Sequence, residues 1–212
     1  MTKFIAFTGA KGSGKSTIIK EVSKCLKDKG LNVYIWNANN PSSSYWKVLL
    51  SLREKIISDG LRPEGIDLYA HFIELLCSYQ DRKSELHSYD FVLVDRYFYD
   101  KYMFGALRYS EYTAELKSIY DLCCNVLPLD STIYIEASFD NIRTRLLTRG
   151  RAAEYTSNQL LVYTEEETVI LGIIKALEEN YTAGRIPSCV KVNNDGGLEN
   201  TIQKVLKVIL GR

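Results

Sequence analysis

The stretch GAKGSGKST at residues 9–17 decides the predicted fold of this chain. It fits the pattern G-x-x-x-x-G-K-[S/T], with an apolar run at residues 4–8 before it and a helix-length segment after it. The glycines let successive backbone N–H groups turn toward an anion, and the start of the helix adds its dipole at the same place. The stretch therefore predicts a loop that binds nucleotide phosphates, with a ligand-free glycine turn as the alternative.

Two side chains of this loop bring chemistry of their own. Lys15 is predicted to reach the β- and γ-phosphates and to act in catalysis, and the Ser16 hydroxyl is predicted to ligate Mg²⁺. The other predicted nucleotide-binding residues of the loop are Gly9, Lys11, Gly12, Ser13, Gly14 and Thr17. The chain has no D-x-x-G after a strand and no N-K-x-D motif, so a guanine-specific switch protein is not expected.

Short apolar runs alternate with longer amphipathic segments along the chain. The predicted strands are Lys3–Thr8, Asn32–Trp36, Asp90–Val94, Ser131–Glu136 and Cys189–Val192. The predicted helices are Lys15–Lys29, Ser44–Asp59, Ile66–Ser88, Asn141–Thr148, Glu165–Ala183 and Glu199–Leu210. This alternation predicts an α/β fold, a doubly wound five-stranded parallel sheet flanked by helices. Together with the phosphate loop it indicates the P-loop NTPase type. Neither an internal repeat nor a long linker divides residues 1–212, so one domain is expected.

The composition limits the partners of the chain. Its formal net charge is +1, with 27 basic and 26 acidic residues, so no broad positive field favours nucleic acid or an acidic membrane. No apolar run is long enough for a signal peptide or a membrane span, and a cytoplasmic protein is expected. The five cysteines are scattered without metal-ligand spacing, which predicts reduced and mostly buried thiols.

A second acidic position follows a later apolar run. Residues 91–95 read FVLVD, and Asp95 at the end of this strand is predicted to hold Mg²⁺ or its water ligands. Arg96 follows at once, at the end of the strand where ligands bind in such sheets. We interpret Arg96 as a bidentate clamp on a phosphate and assign it a catalytic role. Pairing with a neighbouring carboxylate is the alternative.

Five stretches carry a resemblance to a known family. They are LLCSYQDR (75–82), DRYFYDKYMFGA (95–106), PLDSTIYIE (128–136), the pattern R-x-x-x-R-G (145–150) and VNNDGGLENTIQKVL (192–206). In this order and spacing, together with the phosphate loop, they resemble the thymidylate kinases nearly from end to end. The resemblance implies transfer of the γ-phosphoryl group of ATP to a nucleoside monophosphate, with Mg²⁺ as cofactor and dTMP as the default acceptor.

The predicted acceptor site combines this resemblance with helical spacing. Its residues are Phe72, Tyr79, Arg82, Arg96, Tyr97 and Phe104. The resemblance implies that Arg82 and Arg96 bind the acceptor monophosphate. Phe72, Tyr79 and Arg82 fall at i, i+7 and i+10 on one helical face, so a ring there could stack on a base while the arginine holds its phosphate. Packing of both rings in the core is the alternative.

The resemblance also implies a small lid at about residues 149–160. Arg145 would bind the nucleotide at the entry to this lid, and Arg149 and Arg151 would act in catalysis by neutralising charge on the transferred group. Members of the family often pair through their helices, and the region Tyr99–Tyr109 is the candidate surface for a homodimer.

Several acceptor-reading positions depart from the family pattern. Lys11 stands where the loop residue is usually acidic and accepts a hydrogen bond from the deoxyribose 3′-hydroxyl, which a lysine cannot do. It would meet an extra anion on the acceptor, pair with Glu154 on lid closure, or face solvent. The arginine motif after the second strand is missing, and Gly105 replaces a polar residue that often reads thymine. These departures allow for an altered acceptor.

Two other functions compete with a monophosphate kinase. A deoxynucleoside kinase has a neutral hydroxyl as acceptor and needs a general base, usually a carboxylate after the second strand. Residues 36–42 read WNANNPS and contain no acid, which favours an acceptor that is already a phosphate. A non-catalytic nucleotide-binding module is the other alternative, and the presence of Lys15, Ser16 and Asp95 argues against it.

Overall fold

The structure, a computed structural model, describes residues 1–38, 48, 51, 54–55, 58, 64–108, 112–146, 148 and 159–211. Its strands are β1 (Lys3–Thr8), β2 (Val33–Asn37), β3 (Phe91–Asp95), β4 (Ser131–Glu136) and β5 (Cys189–Asn193). They form one five-stranded sheet in the order β2-β3-β1-β4-β5. The bounds of the predicted strands are confirmed to within one residue at each end. The predicted α/β class is also confirmed.

One or two of the described helices follow each strand along the chain. They are α1 (Lys15–Lys27), α2 (Glu64–Leu86), α3 (Phe98–Arg108), α4 (Thr113–Val126), α5 (Phe139–Leu146), α6 (Gln159–Thr182) and α7 (Leu198–Leu210). Helices α3 and α4 are not among the predicted segments, although in α4 Leu116, Tyr120 and Cys123 form a buried stripe at helical spacing. Helix α6 begins six residues earlier than predicted, and most of the predicted helix at 44–59 lies outside the described residues.

The register of the sheet explains why the strands read as apolar runs. Strand β2 pairs in parallel with β3, with Asn37 opposite Asp95, and β4 pairs in parallel with β5, with Glu136 opposite Asn193. Every residue of β3 except Asp95 is buried, as expected for an inner strand covered on both faces. The edge strands β2 and β5 are only partly buried, so their sequences are less continuously apolar.

The chain forms two compact units. The first, which we call the β3 unit, comprises residues 1–6 and 31–130, and the second, the loop unit, comprises residues 7–30 and 131–212. The core of the β3 unit includes Trp36, Phe72, Leu75, Leu93 and Phe98. The core of the loop unit includes Phe7, Ile18, Val22, Ile135, Leu177 and Val205. The single domain expected over residues 1–212 stays a prediction.

Helices α1 and α7 pack against each other within the loop unit. Helix α1 buries Ile18, Ile19, Val22 and Leu26, and α7 buries Ile202, Val205, Leu206 and Ile209. Both sets recur at helical spacing, so each helix has one apolar face. This packing holds the start of α1, and with it the phosphate loop, on a rigid support.

All five cysteines are free thiols, as expected. Only Cys123 is buried, whereas Cys124 is exposed and the others are partly exposed, so the expectation of mostly buried thiols is wrong. The described residues contain no group of three or more His, Cys, Asp or Glu side chains able to hold a metal ion. None of the described helices combines the length and the apolar character that crossing a membrane requires.

Candidate active site

The phosphate loop passes very close to neighbouring groups of the loop unit at two glycines. Gly9 has a φ of 145°, and a Cβ atom there would lie 2.4 Å from the carbonyl oxygen of Ile135 in β4. Gly14 has a φ of 97°, and a Cβ atom there would lie 2.4 Å from Nδ2 of Asn194. Both positions therefore require glycine, for the torsion angle and for the space.

Lys15 lies folded against the loop. Its side chain is buried, and its Nζ donates hydrogen bonds to the carbonyl oxygens of Gly9 at 2.8 Å and Ala10 at 2.9 Å. A buried ammonium group requires such acceptors, because its hydration shell is lost. The cation is therefore held within the loop that is predicted to bind phosphate.

The start of α1 has the features of an anion site. Gly14 is the N-cap residue and provides no side-chain cap, and the first turn contains no acidic residue. The hydroxyl of Ser13 is buried and has no hydrogen-bond partner among the described residues. An unpaired buried hydroxyl costs about 1–3 kcal/mol, and a phosphate oxygen would accept a hydrogen bond from it. These observations fit a nucleotide phosphate, whose oxygens would also bind the N–H groups at the helix start.

Arg145 contacts the loop directly. Its Nη1 donates to the carbonyl oxygen of Ser13 at 3.1 Å, and its Nη2 donates to the carbonyl oxygen of Asn194 at 2.6 Å. The structure thus places Arg145, predicted at the entry to a lid, against the phosphate loop. Asn194 was not predicted as a site residue. It lies in the stretch 192–206 that carries the resemblance, but no local pattern there indicates a contact with Ser13, 181 positions away.

In the β3 unit, Asp95 is the last residue of β3 and is partly buried. Arg96 follows it with a φ of 63°, in the left-handed region. Such a torsion costs a non-glycine residue about 1–3 kcal/mol, and strain of this kind is concentrated at functional sites. The pair fits the predicted roles in binding Mg²⁺ and phosphate: Mg²⁺ commonly takes only one or two carboxylates, with phosphate oxygens and water as its other ligands.

Arg96 is paired with a carboxylate of its own segment. Its Nη1 lies 3.5 Å from Oδ1 of Asp100, and Oδ2 of Asp100 accepts a hydrogen bond at 3.3 Å from the backbone N–H of Tyr97. Asp100 thereby caps α3 and orients the guanidinium group at the same time. The alternative interpretation of Arg96, pairing with a neighbouring carboxylate, describes its contact in this structure. A phosphate clamp stays a prediction.

A group of buried polar side chains lies where α2 packs on α3, and we call it the buried polar cluster: Glu74, Ser78, Asp100 and Lys101. The Ser78 hydroxyl donates to Oε1 of Glu74 at 3.3 Å. Burial lowers the pKa of Lys101 to about 8, although the carboxylates of Asp100 and Glu74 act in the opposite direction. The cluster was missed from sequence. The sequence did contain a signal for it: Asp100 stands four residues after Arg96, and Glu74 stands four residues before Ser78, the spacing at which side chains on a helix meet.

Lys101 should make stability depend on pH. Because its pKa is about 8 in the folded state and 10.5 when free, the unfolded chain binds more protons between these values, and stability rises with pH there. Between pH 7 and pH 10, we expect the free energy of unfolding of the wild type to rise by about 2 kcal/mol relative to that of the Lys101→Met variant. Urea unfolding at a series of pH values measures this difference. A constant difference would contradict the burial of a titrating ammonium group.

Arg82 is held by local partners on the surface of α2. Its Nε and Nη2 each donate to the Glu85 carboxylate at 3.0 Å, and its guanidinium carbon lies 4.7 Å from the centre of the Tyr34 ring. A bidentate pair of this kind fixes the plane of the guanidinium group. Binding of an acceptor phosphate by Arg82 stays a prediction, and it would have to displace or share the Glu85 contact.

The two rings predicted to face a base are core side chains. Phe72 is 0% exposed and Tyr79 is 5% exposed. The Tyr79 ring packs against Trp36 and Phe4, and its hydroxyl lies 3.0 Å from Nε2 of His87. Neither ring presents a face for stacking in this structure, which supports the packing interpretation. Helical spacing put both residues on one face, and that face points into the core because both side chains are large and apolar.

The remaining predicted residues fall into two groups. Tyr97 is 1% exposed, packs against Trp36, and has a hydroxyl group without a hydrogen-bond partner among the described residues. Lys11 is partly buried, and Ser16 and Thr17 are exposed on the first turn of α1. The predictions for Arg149, Arg151, Glu154 and the side chain of Phe104 lie outside the described residues, as does most of the predicted lid.

Known proteins similar to this chain match it over nearly its whole length. No protein-family model matches it. Thymidylate kinases from two strains of Staphylococcus epidermidis, ATCC 35984 and ATCC 12228, are each 26% identical to it over 221 residues, covering 99% of this chain and 98% of theirs. The chain resembles thymidylate kinases from end to end. The resemblance seen in the short motifs is thus confirmed at full length.

Solved structures show the same fold. A thymidylate kinase from Ehrlichia chaffeensis matches with a TM-score of 0.58 and 16% identity, covering 99% of this chain and 98% of that one. A deoxyadenosine kinase from M. mycoides with bound dATP matches with a TM-score of 0.58 and 20% identity, covering 98% and 99%. The thymidylate kinase-like chain therefore has the P-loop kinase fold. The fold is shared by enzymes for both classes of acceptor, so it does not by itself choose between them.

Proposed function

We propose that this protein is an ATP-dependent nucleoside monophosphate kinase, with dTMP as the default acceptor. The observation that carries the proposal is the loop itself: a buried Lys15 ammonium, an unpaired Ser13 hydroxyl and an uncapped helix start occur together. The full-length similarity to thymidylate kinases supports the same function. The P-loop kinase fold is compatible with it but does not choose the acceptor.

The chain's own residues divide the work of phosphoryl transfer. The loop N–H groups and Lys15 bind the β- and γ-phosphates of ATP and neutralise the charge that develops on them. The Ser16 hydroxyl in the loop unit would ligate Mg²⁺, and the Asp95 carboxylate in the β3 unit is separately a predicted Mg²⁺ ligand. The ion would supply further positive charge to the phosphates. Transfer of this kind depends on positioning and charge neutralisation, so no covalent intermediate on the protein is required.

The acceptor side of the proposal depends on Arg96. Its guanidinium group follows Asp95 directly and is oriented by Asp100. An acceptor phosphate would bind to this oriented cation, and a phosphate needs no general base at neutral pH. A deoxynucleoside would need one, and residues 36–42 contain no carboxylate. The homodimer implied by the resemblance stays a prediction.

The test is a coupled assay of ADP release with a panel of acceptors. The panel contains the natural nucleoside monophosphates, the unphosphorylated deoxynucleosides and 3′-phosphorylated nucleotide analogues. We expect dTMP to exceed every deoxynucleoside in kcat/KM by at least about 100-fold, because a site built for a phosphate rejects an acceptor that lacks it.

Three other results would each contradict part of this proposal. Turnover with a deoxynucleoside alone would favour the deoxynucleoside kinase alternative. Preference for a 3′-phosphorylated acceptor would replace dTMP and support the altered-acceptor interpretation of Lys11. ATP binding without acceptor-dependent ADP release would indicate a non-catalytic nucleotide-binding module.

A further inference from the structure

We propose that Asn194 is a positioning residue that holds the phosphate loop in its ATP-binding conformation, and that Thr201 orients its amide. The proposal rests on the proposed function, because it assigns the donor nucleotide to the loop. Asn194 follows β5 and Thr201 lies in the first turn of α7, so both are remote from the loop in sequence. All the contacts involved lie within the loop unit.

Every hydrogen-bonding group of Asn194 has a partner. Its Nδ2 donates to the carbonyl oxygen of Ser13 at 2.7 Å, and its Oδ1 accepts from the Thr201 hydroxyl at 3.0 Å. Its backbone N–H donates to the carbonyl oxygen of Glu136 at 2.8 Å, and its backbone oxygen accepts from Arg145 at 2.6 Å. Asn194 is 4% exposed and Thr201 is 2% exposed, so water does not compete for these bonds. The side chain therefore has one fixed position.

The orientation of the amide follows from its partners. The Ser13 carbonyl oxygen can only accept a hydrogen bond, so the group facing it must be the NH₂ of Asn194. The amide oxygen is then left for Thr201, whose hydroxyl can donate. By donating to that oxygen, Thr201 stabilises the orientation of Asn194 that the Ser13 carbonyl oxygen requires.

Holding the Ser13 carbonyl oxygen has a consequence for the loop. In a trans peptide the C=O and the following N–H point in opposite directions. Asn194 and Arg145 both donate to the Ser13 carbonyl oxygen, so together they fix the direction of the Gly14 N–H. That N–H is one of the groups predicted to bind phosphate. Without these two donors the peptide can rotate and turn a carbonyl oxygen toward the anion, which would weaken phosphate binding.

The contact also explains the tight space at Gly14. A Cβ atom on Gly14 would lie 2.4 Å from Nδ2 of Asn194, so the amide packs directly against the loop backbone. An amide that only braced the turn between β5 and α7 would need no contact with a residue 181 positions away. The geometry therefore couples Asn194 to the conformation of the loop.

The experiment measures the binding of ATP and of pyrophosphate by titration calorimetry, with urea unfolding as a measure of stability. Pyrophosphate isolates the phosphate loop from contacts with the base. We expect Asn194→Ala to weaken the binding of both ligands by about 20-fold, and Thr201→Val to weaken it by about 5-fold, since each removes a buried hydrogen bond that holds the loop. In turnover, KM for ATP should rise with these variants while KM for the acceptor stays within about twofold.

Thr132 provides a matched control for Thr201. It is also 2% exposed and lies in the loop unit, but its hydroxyl has no hydrogen-bond partner among the described residues. Thr132→Val should therefore leave ATP and pyrophosphate binding within about twofold of the wild type, and Thr201→Ser should restore what Thr201→Val loses. If Asn194→Ala does not fold, the two Thr201 variants still decide the question.

Two results would overturn the proposal. The first is wild-type binding of pyrophosphate by a folded Asn194→Ala or Thr201→Val variant. It would show that the contact does not position the loop. Equal losses for Thr201→Val and Thr132→Val would show a general effect of the substitution. The proposed kinase function fails separately: a wild type that binds ATP without transferring phosphate refutes the kinase, while the binding series still tests Asn194.

Discussion

Lys15→Met is expected to lower kcat for phosphoryl transfer by roughly 10²–10³-fold. The variant keeps most of the length of the side chain but loses the cation that lies in hydrogen-bond contact with the Gly9 and Ala10 carbonyl oxygens. A phosphate bound in the loop would replace the two carbonyl oxygens as acceptor of the ammonium's hydrogen bonds. The ammonium would then neutralise the negative charge on the oxygens of the transferred group. Steady-state ADP release at saturating ATP and dTMP measures the effect.

Lys20→Met is the matched control for this prediction. Lys20 lies on the same helix, α1, and its side chain is exposed rather than buried in the loop. We expect its kcat to stay within about twofold of the wild type, because exposed side chains away from special contacts have small effects. A Lys15→Met variant that retained more than a tenth of the wild-type kcat would show that the loop cation does not take part in transfer.

Gly9→Ala is expected to lower the free energy of unfolding by about 4 kcal/mol or more. The added methyl group would lie 2.4 Å from the carbonyl oxygen of Ile135 and 3.0 Å from the Ser13 hydroxyl oxygen, and the backbone has a φ of 145°. The main obstacle is backbone of an inner strand of the sheet, which cannot move aside as a flexible side chain can. Urea unfolding of both proteins measures the loss, and ATP binding should be lost with it because the loop must shift.

Gly30→Ala separates the two causes of this loss. Gly30 has a φ of 79°, and a Cβ atom there would meet nothing within 4 Å. Its variant therefore carries the torsional cost alone, about 1–2 kcal/mol. Equal losses for Gly9→Ala and Gly30→Ala would mean that the close approach to Ile135 has no energetic weight.

The phosphate loop illustrates how far sequence reasoning reaches. Its residues are contiguous, and the apolar strand before it and the amphipathic helix after it are local patterns, so β1, the loop and α1 were predicted nearly to the residue. The same reasoning predicted that Lys15 belongs to the loop. It did not predict Asn194, because the partner of the Ser13 carbonyl oxygen is 181 residues away and no local pattern records it.

The β3 unit shows the limits on the acceptor side. The carboxylate at the end of β3 and the arginine after it were predicted from an apolar run that ends in Asp95 and Arg96. Helical spacing alone could not tell whether Phe72 and Tyr79 face a ligand or the core, and burial decided for the core. The buried Lys101 could not be predicted because lysine is ordinarily a surface residue, and its pKa is lowered by burial in the fold and, to a smaller extent, by the charge of Arg96.

The sequence by itself determined the α/β class, the positions of the strands and the residues of the phosphate loop. Each of these is written in contiguous residues, as an apolar run, a helical period or a glycine frame. Only the tertiary structure decided what holds that frame: Ile135 beside Gly9, and Asn194 with Arg145 on the Ser13 carbonyl oxygen. The physical reason is that hydrogen bonds and close contacts join atoms that are near in space, and folding brings them together from distant parts of the chain.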